Sequence, residues 1–154
     1  MFEVHPRNDS GPSARLHLPD EDATLAAGAR LAAALPPRLT ILLRGDLGAG
    51  KTTLTQGIGA GLGVAGPVIS PTFVLSRVHP TTTGGPALVH VDAYRLGSFD
   101  ELEDLDLEAS LADAVTLIEW GGGIAEGFVV DGLVAGVGML LTFVPLMALM
   151  FLLL

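Results

Sequence analysis

The stretch from Leu39 to Thr52 constrains the fold more than any other part of the chain. A continuous apolar run, Leu39 to Leu43 (LTILL), leads through Arg44 into Gly45-Asp46-Leu47-Gly48-Ala49-Gly50-Lys51-Thr52. An unbroken apolar run of strand length fits a strand covered on both faces of a parallel sheet. The eight residues after Arg44 match the pattern G-x-x-x-x-G-K-[ST] in full. Glycines let such a loop curl so that successive backbone N–H groups converge, and a following helix adds the positive end of its dipole. That arrangement suits phosphate oxygens. Gly45, Asp46, Gly48, Ala49 and Gly50 are therefore expected to form a phosphate cradle, with Lys51 as a mobile cation for the outer phosphates and the Thr52 hydroxyl as a Mg²⁺ ligand. Lys51 is the sole lysine of the chain.

The elements around this unit alternate. Ala14 to Leu18 reads as a short strand, and Asp20 can cap a helix running to about Leu35, with Glu21 and Asp22 in its first turn. Pro36-Pro37 stops it. A helix from Lys51 to about Leu62 follows the loop, its glycines (57, 59, 61, 63) weakening it and marking its end near Gly63. Phe73 to Val78 and Ala87 to Val91 read as strands of a hairpin across 80–86, Leu96 to about Ala112 as a helix, and Ala114 to Ile118 as another buried strand. Strand and helix in alternation predict an α/β fold, a P-loop NTPase-like sheet flanked by helices.

Hydrolysis needs more than the loop: a second carboxylate on the Mg²⁺ side and a group that orients water. Two predicted strands end in an acid, Leu88–Asp92 and Thr116–Glu119. Ligands of α/β sheets bind at the carboxyl ends of strands, so either acid could hold the ion. Ser70-Pro71-Thr72 lies where a γ-phosphate sensor could sit, although it also reads as a plain turn. Seventeen acids against eight bases give a formal charge of -9, which disfavours direct binding to a nucleic-acid backbone. The absence of cysteine excludes disulfides, thiolate metal sites and cysteine nucleophiles, and fits a reducing compartment.

Several motifs together carry a resemblance. GDLGAGKTTL (45–54), SPTF (70–73), HVDAYRL (90–96), ELEDLDLE (101–108) and IEWG (118–121) stand in the order and spacing of the TsaE (YjeE) family, and LPDEDATLAAG (18–28) is similar to its N-terminal helix start. The resemblance covers about residues 16–121. It implies a bacterial ATPase of threonylcarbamoyladenosine biosynthesis on transfer RNA, weakly active alone, working in the cytoplasm with the two other subunits of the complex (TsaB and TsaD type) and touching transfer RNA only indirectly. Its ATPase would reset that complex rather than perform the carbamoyl transfer. By residue, it implies Lys51, Thr52 and Thr53 at the phosphates of ATP, Thr52 and Glu119 as Mg²⁺ ligands, and Asp92 in hydrolysis. It further implies Thr72 in a switch-like segment, Trp120 beside the nucleotide and Glu21 near the base. The acidic run 100–108 reads as a solvated helix face or as a docking surface for a basic partner.

From Gly132 to Leu154 no residue is charged. The chain thus divides into a polar leader (1–13), a P-loop ATPase domain (14–121), a glycine-rich linker (122–131) and an apolar tail (132–154). As one helix the tail is long enough for a bilayer, although no Lys or Arg flanks it. Three readings fit it: a membrane anchor, a segment packed as core, or a reading frame that departs from the ancestral one near 122–131 and leaves the sheet without its last strands. Two rival functions stand beside the ATPase. One is a small-metabolite kinase, for which Arg77 and Arg95 (the only bases after Lys51) make a thin phosphate clamp. The other is a membrane-tethered nucleotide-binding interaction protein.

Overall fold

The computed structural model describes residues 2–5, 14–71, 74–98, 113–120 and 132–137. Seven strands and two helices are described: β1 (Phe2–His5), β2 (Ala14–Leu16), α1 (Glu21–Ala32), β3 (Thr40–Arg44), α2 (Lys51–Leu62), β4 (Ser76–His79), β5 (Ala87–Asp92), β6 (Ala114–Glu119) and β7 (Gly132–Val137). They form one sheet in the order β2-β1-β7-β3-β6-β5-β4. The centre is parallel: β3 pairs with β6 and β7, and β5 pairs with β6. Antiparallel strands border it, β4 on β5 at one side and β1 on β7 at the other.

The apolar runs become the central strands. Ile41, Leu42 and Leu43 of β3 and Val115, Leu117 and Ile118 of β6 are fully buried. One face of the sheet (Ile41, Leu43, Leu88, Val115, Leu117) packs against Leu31 of α1, Leu35 just beyond it, and Leu54, Ile58 and Leu62 of α2. Leu42, Val89, Val91 and Ile118 of the other face pack with Ala93 and Leu96. The α/β architecture is the expected one.

Helix α1 starts as its sequence dictates: Asp20 accepts the Ala23 N–H at 2.8 Å, and Glu21 and Asp22 follow in the first turn. Helix α2 ends at Gly63, whose φ of 76° is a left-handed cap. Its internal glycines have a second cause, close approach to α1. A Cβ on Gly57 would lie 2.4 Å from the Leu25 carbonyl oxygen, and one on Gly61 would lie 2.5 Å from that of Ala29. Backbone cannot swing away as a side-chain tip can. Gly57→Ala gains about 1 kcal/mol of helix propensity, but overpacking costs about 1–3 kcal/mol and here meets rigid backbone. The expected result is a melting temperature lower by about 5 °C or more, followed by circular dichroism. An unchanged or raised value would show that the helices separate at little cost.

At the edge, His79 of β4 is buried and its Nε2 lacks a hydrogen-bond partner. Burial first, then the nearby His90 and Arg77, push its pKa below the usual 6.5. The unfolded chain then binds a proton more readily than the folded one, so this stability is present above pH 6.5 and is lost as pH falls through the folded value. The urea midpoint should drop between pH 7.5 and 5.5, and His79→Leu should flatten that dependence. An equal drop in the variant would place the effect elsewhere.

Four expectations need correction. Phe2–His5 is not part of a loose leader but a strand between β2 and β7, and its alternation of Phe2 and Val4 with Glu3 and His5 suits that place. Residues 132–137 do not begin a membrane helix or a tail apart from the domain. They form β7, hydrogen-bonded to β1 and β3 within the sheet. The sheet therefore extends beyond the expected 14–121 domain. Leu96–Ser98 is not helical. The first hairpin strand begins at Ser76, because Val74 and Leu75 turn back on the Pro71 carbonyl. The rest of the expected helix to Ala112, the acidic run 100–108, Thr72, the linker 122–131 and residues 138–154 lie outside the described residues. Among the described residues, no helix is long and apolar enough to cross a membrane.

Candidate functional site

Sheet register gathers the acids beside the loop. Leu43, the penultimate residue of β3, pairs with Glu119 at the end of β6, and Asp92 at the end of β5 pairs with Glu119 from the other side. Both carboxylates thus stand at the carboxyl edge of the sheet, next to the turn that β3 enters. Asp92 and Glu119 are buried, at 5% and 3% exposure.

The loop is built by its glycines. Gly50 immediately precedes α2 with φ of 95°, in the left-handed region where a side chain is strained. No side chain caps α2, and its first turn carries no acid, in contrast to α1. The positive end of α2 therefore faces an open cavity of about 220 Å³, lined by Leu47 to Thr53 and by Glu119. A site of that volume admits several water-sized groups, and its lining offers the Lys51 ammonium, the Thr52 and Thr53 hydroxyls and the first N–H groups of an uncapped helix. Anionic phosphates fit this chemistry.

Lys51 folds back over its own loop. Its Nζ donates to the carbonyls of Gly45 and Asp46, each at 2.8 Å, and lies 3.7 Å from the centroid of the Trp120 ring. Burial pushes its pKa below 10.5, opposed by the charges of Glu119, Asp46 and Asp92. Trp120 holds a left-handed φ of 61°, which costs a non-glycine residue about 1–2 kcal/mol. Its ring meets Tyr94 edge to face at 5.3 Å and offers its own face to Lys51, contacts that offset this strain.

The Thr52 hydroxyl donates to Glu119, 3.2 Å from Oε1 and 3.4 Å from Oε2. A hydroxyl and a carboxylate this close are the hard oxygen donors that Mg²⁺ prefers, and they fit such an ion. Asp92 Oδ1 accepts the Tyr94 N–H at 3.0 Å, which fixes one oxygen.

The structure thus brings together Gly45, Asp46, Gly48, Ala49, Gly50, Lys51, Thr52, Thr53, Glu119 and Trp120, with Asp92 alongside. Glu21 is exposed in the first turn of α1 and does not line the cavity. Two neighbours of the site lie outside the expected set. Tyr94 supports Trp120, and His90 contacts Glu119 at 2.9 Å. A polar residue inside the apolar strand Ala87–Asp92 was the available signal for His90.

A sheet with a parallel centre whose strand β3 enters a glycine loop, with the loop lysine and an uncapped helix at its mouth, defines a P-loop nucleotide-binding protein. The family "Threonylcarbamoyl adenosine biosynthesis protein TsaE" matches residues 18–135, past the glycine-rich segment and into β7. The chain belongs to the TsaE family. The tRNA threonylcarbamoyladenosine biosynthesis protein TsaE of Streptomyces coelicolor is 59% identical over 107 residues, 69% of this chain and 72% of that protein. The protein of the same name from Mycobacterium leprae is 50% identical over 110 residues, 67% of this chain and 68% of its own length. The crystal structure of YdiB from Bacillus subtilis matches with a TM-score of 0.52 at 33% identity, over 67% of this chain and 61% of that one.

Proposed function

We propose that this chain is a cytoplasmic ATP hydrolase that supports threonylcarbamoyladenosine modification of transfer RNA, acting with the two subunits (TsaB and TsaD type) that assemble the modified nucleoside. The observation that carries the reading is the convergence of Lys51, Thr52 and Glu119 on one cavity at the N-terminus of α2, in a chain of the TsaE family.

In this reading the loop N–H groups bind the phosphates of ATP, and Lys51 leaves the Gly45 and Asp46 carbonyls to pair with the outer ones. Thr52 and Glu119 would hold Mg²⁺, which would supply neutralising charge for the phosphates. Asp92 orients the attacking water and accepts its proton. The water oxygen bonds to the γ-phosphorus, the bond to the β–γ bridging oxygen breaks, and ADP and phosphate leave. Trp120 covers the site beside the nucleotide. Thr72 is assigned the γ-phosphate sensor role through its motif alone. The charge of -9 suits a protein that serves RNA modification while its partners hold the RNA.

Reconstitution with the two partner subunits, transfer RNA and ATP tests this reading. Sustained formation of the modified nucleoside should require this chain, and phosphate should be released without any phosphorylated acceptor. Transfer of the γ-phosphate to a small molecule would instead establish the kinase.

A further inference from the structure

His90 has no role in the reading above, yet it sits directly behind the cation ligands. It is fully buried in β5, where Leu117 of β6 is its register partner, while Asp92 is that of Glu119. Residues two apart on a strand share a face, so His90, Asp92, Leu117 and Glu119 all project toward the α2 side. The His90 Nε2 lies 2.9 Å from Glu119 Oε1. A carboxylate only accepts, so Nε2 carries the proton and donates it. The opposite ring nitrogen, Nδ1, is buried without a partner. The bond to Glu119 is the one hydrogen bond this ring makes among the described residues.

We propose that His90 is a positioning residue that fixes the Glu119 carboxylate for a divalent cation shared with Thr52. Glutamate has three rotatable bonds, and one carboxylate oxygen must be held for the other to meet an ion reproducibly. His90 anchors Oε1, leaving Oε2, whose contact with Thr52 is the longer at 3.4 Å, as the oxygen available to ligate. Partners of this kind, behind a ligating side chain, typically change metal affinity by 10–100-fold. The inference rests on Thr52 and Glu119 being the cation's ligands.

The test measures Mn²⁺ binding by electron paramagnetic resonance at saturating ADP, and ADP binding without cation by calorimetry. His90→Leu should weaken Mn²⁺ binding about 10–100-fold and leave ADP binding near wild type. His90→Gln, whose amide nitrogen can stand near the Nε2 position, should recover most of the Mn²⁺ affinity. Wild-type Mn²⁺ affinity in His90→Leu, or equal weakening in Leu and Gln, would overturn the proposal. If His90→Leu does not fold, His90→Asn replaces it, because its shorter amide falls short of Glu119. Tighter Mn²⁺ binding by Gln than by Asn then supports the role, and equal binding overturns it. Glu119→Gln separates the premises: wild-type Mn²⁺ affinity there removes the assignment of Glu119 itself. Loss there with none in His90→Leu removes only His90.

Discussion

Lys51→Ala is expected to weaken ATP binding by about 100-fold or more, measured by calorimetry. Charge-assisted hydrogen bonds are each worth about 1.5–3 kcal/mol, and 1.4 kcal/mol is a factor of ten in affinity. Two such bonds to phosphate would amount to more than 100-fold. Part is offset, because Lys51 must leave the Gly45 and Asp46 carbonyls and the Trp120 ring. The fold should tolerate the change. Burial already works against the ammonium, lowering its pKa, so its removal relieves a desolvation cost while it forfeits those three contacts. Weak binding with an intact melting transition is therefore the expected signature. ATP affinity within a few-fold of wild type would mean that the loop amides alone hold the phosphates.

Asp92→Asn should slow phosphate release by about 100-fold or more, the usual scale for losing a positioned base, with ATP affinity close to wild type. The substitution isolates the charge. Asparagine keeps a carbonyl oxygen where Asp92 Oδ1 accepts the Tyr94 N–H, so the turn into Tyr94 and the edge-to-face contact with Trp120 survive. What it loses is the capacity to take a proton from water. Single-turnover phosphate release, started from bound ATP, reads this without interference from product departure. Unchanged release would withdraw Asp92 from the chemistry and leave it as a structural cap on the strand end.

Much of this site was legible in the sequence because its logic is local. The apolar run into the loop, the terminal Lys-Thr pair and the acids closing two strands were each visible in order, and parallel pairing then placed Asp92 level with Glu119. Other features depend on contacts that residue order does not display. The glycines of α2 read as weakness, whereas Gly57 and Gly61 are where α1 lies against α2. Gly132–Val137 was submerged in a longer uncharged run, and only its pairing with β1 and β3 marks it as a sheet strand. Phe2–His5 carried a strand's alternation, but the prolines and glycine after it suggested a leader. His90 was hidden by its setting, one polar residue in a buried strand whose partner lies 29 positions away. The resemblance implies Glu21 near the base, and its described place is an exposed helix start.

The most direct test of a working phosphate site is a Mg-ATP titration followed by the fluorescence of Trp120, the only tryptophan in the chain. Its ring now faces the Lys51 ammonium at 3.7 Å. When Lys51 transfers to the phosphates, that cation leaves the ring and the emission should change. A saturable change that Lys51→Ala abolishes is the expected result. A chain that is folded by circular dichroism, yet shows no change and no ATP binding by calorimetry, would contradict it.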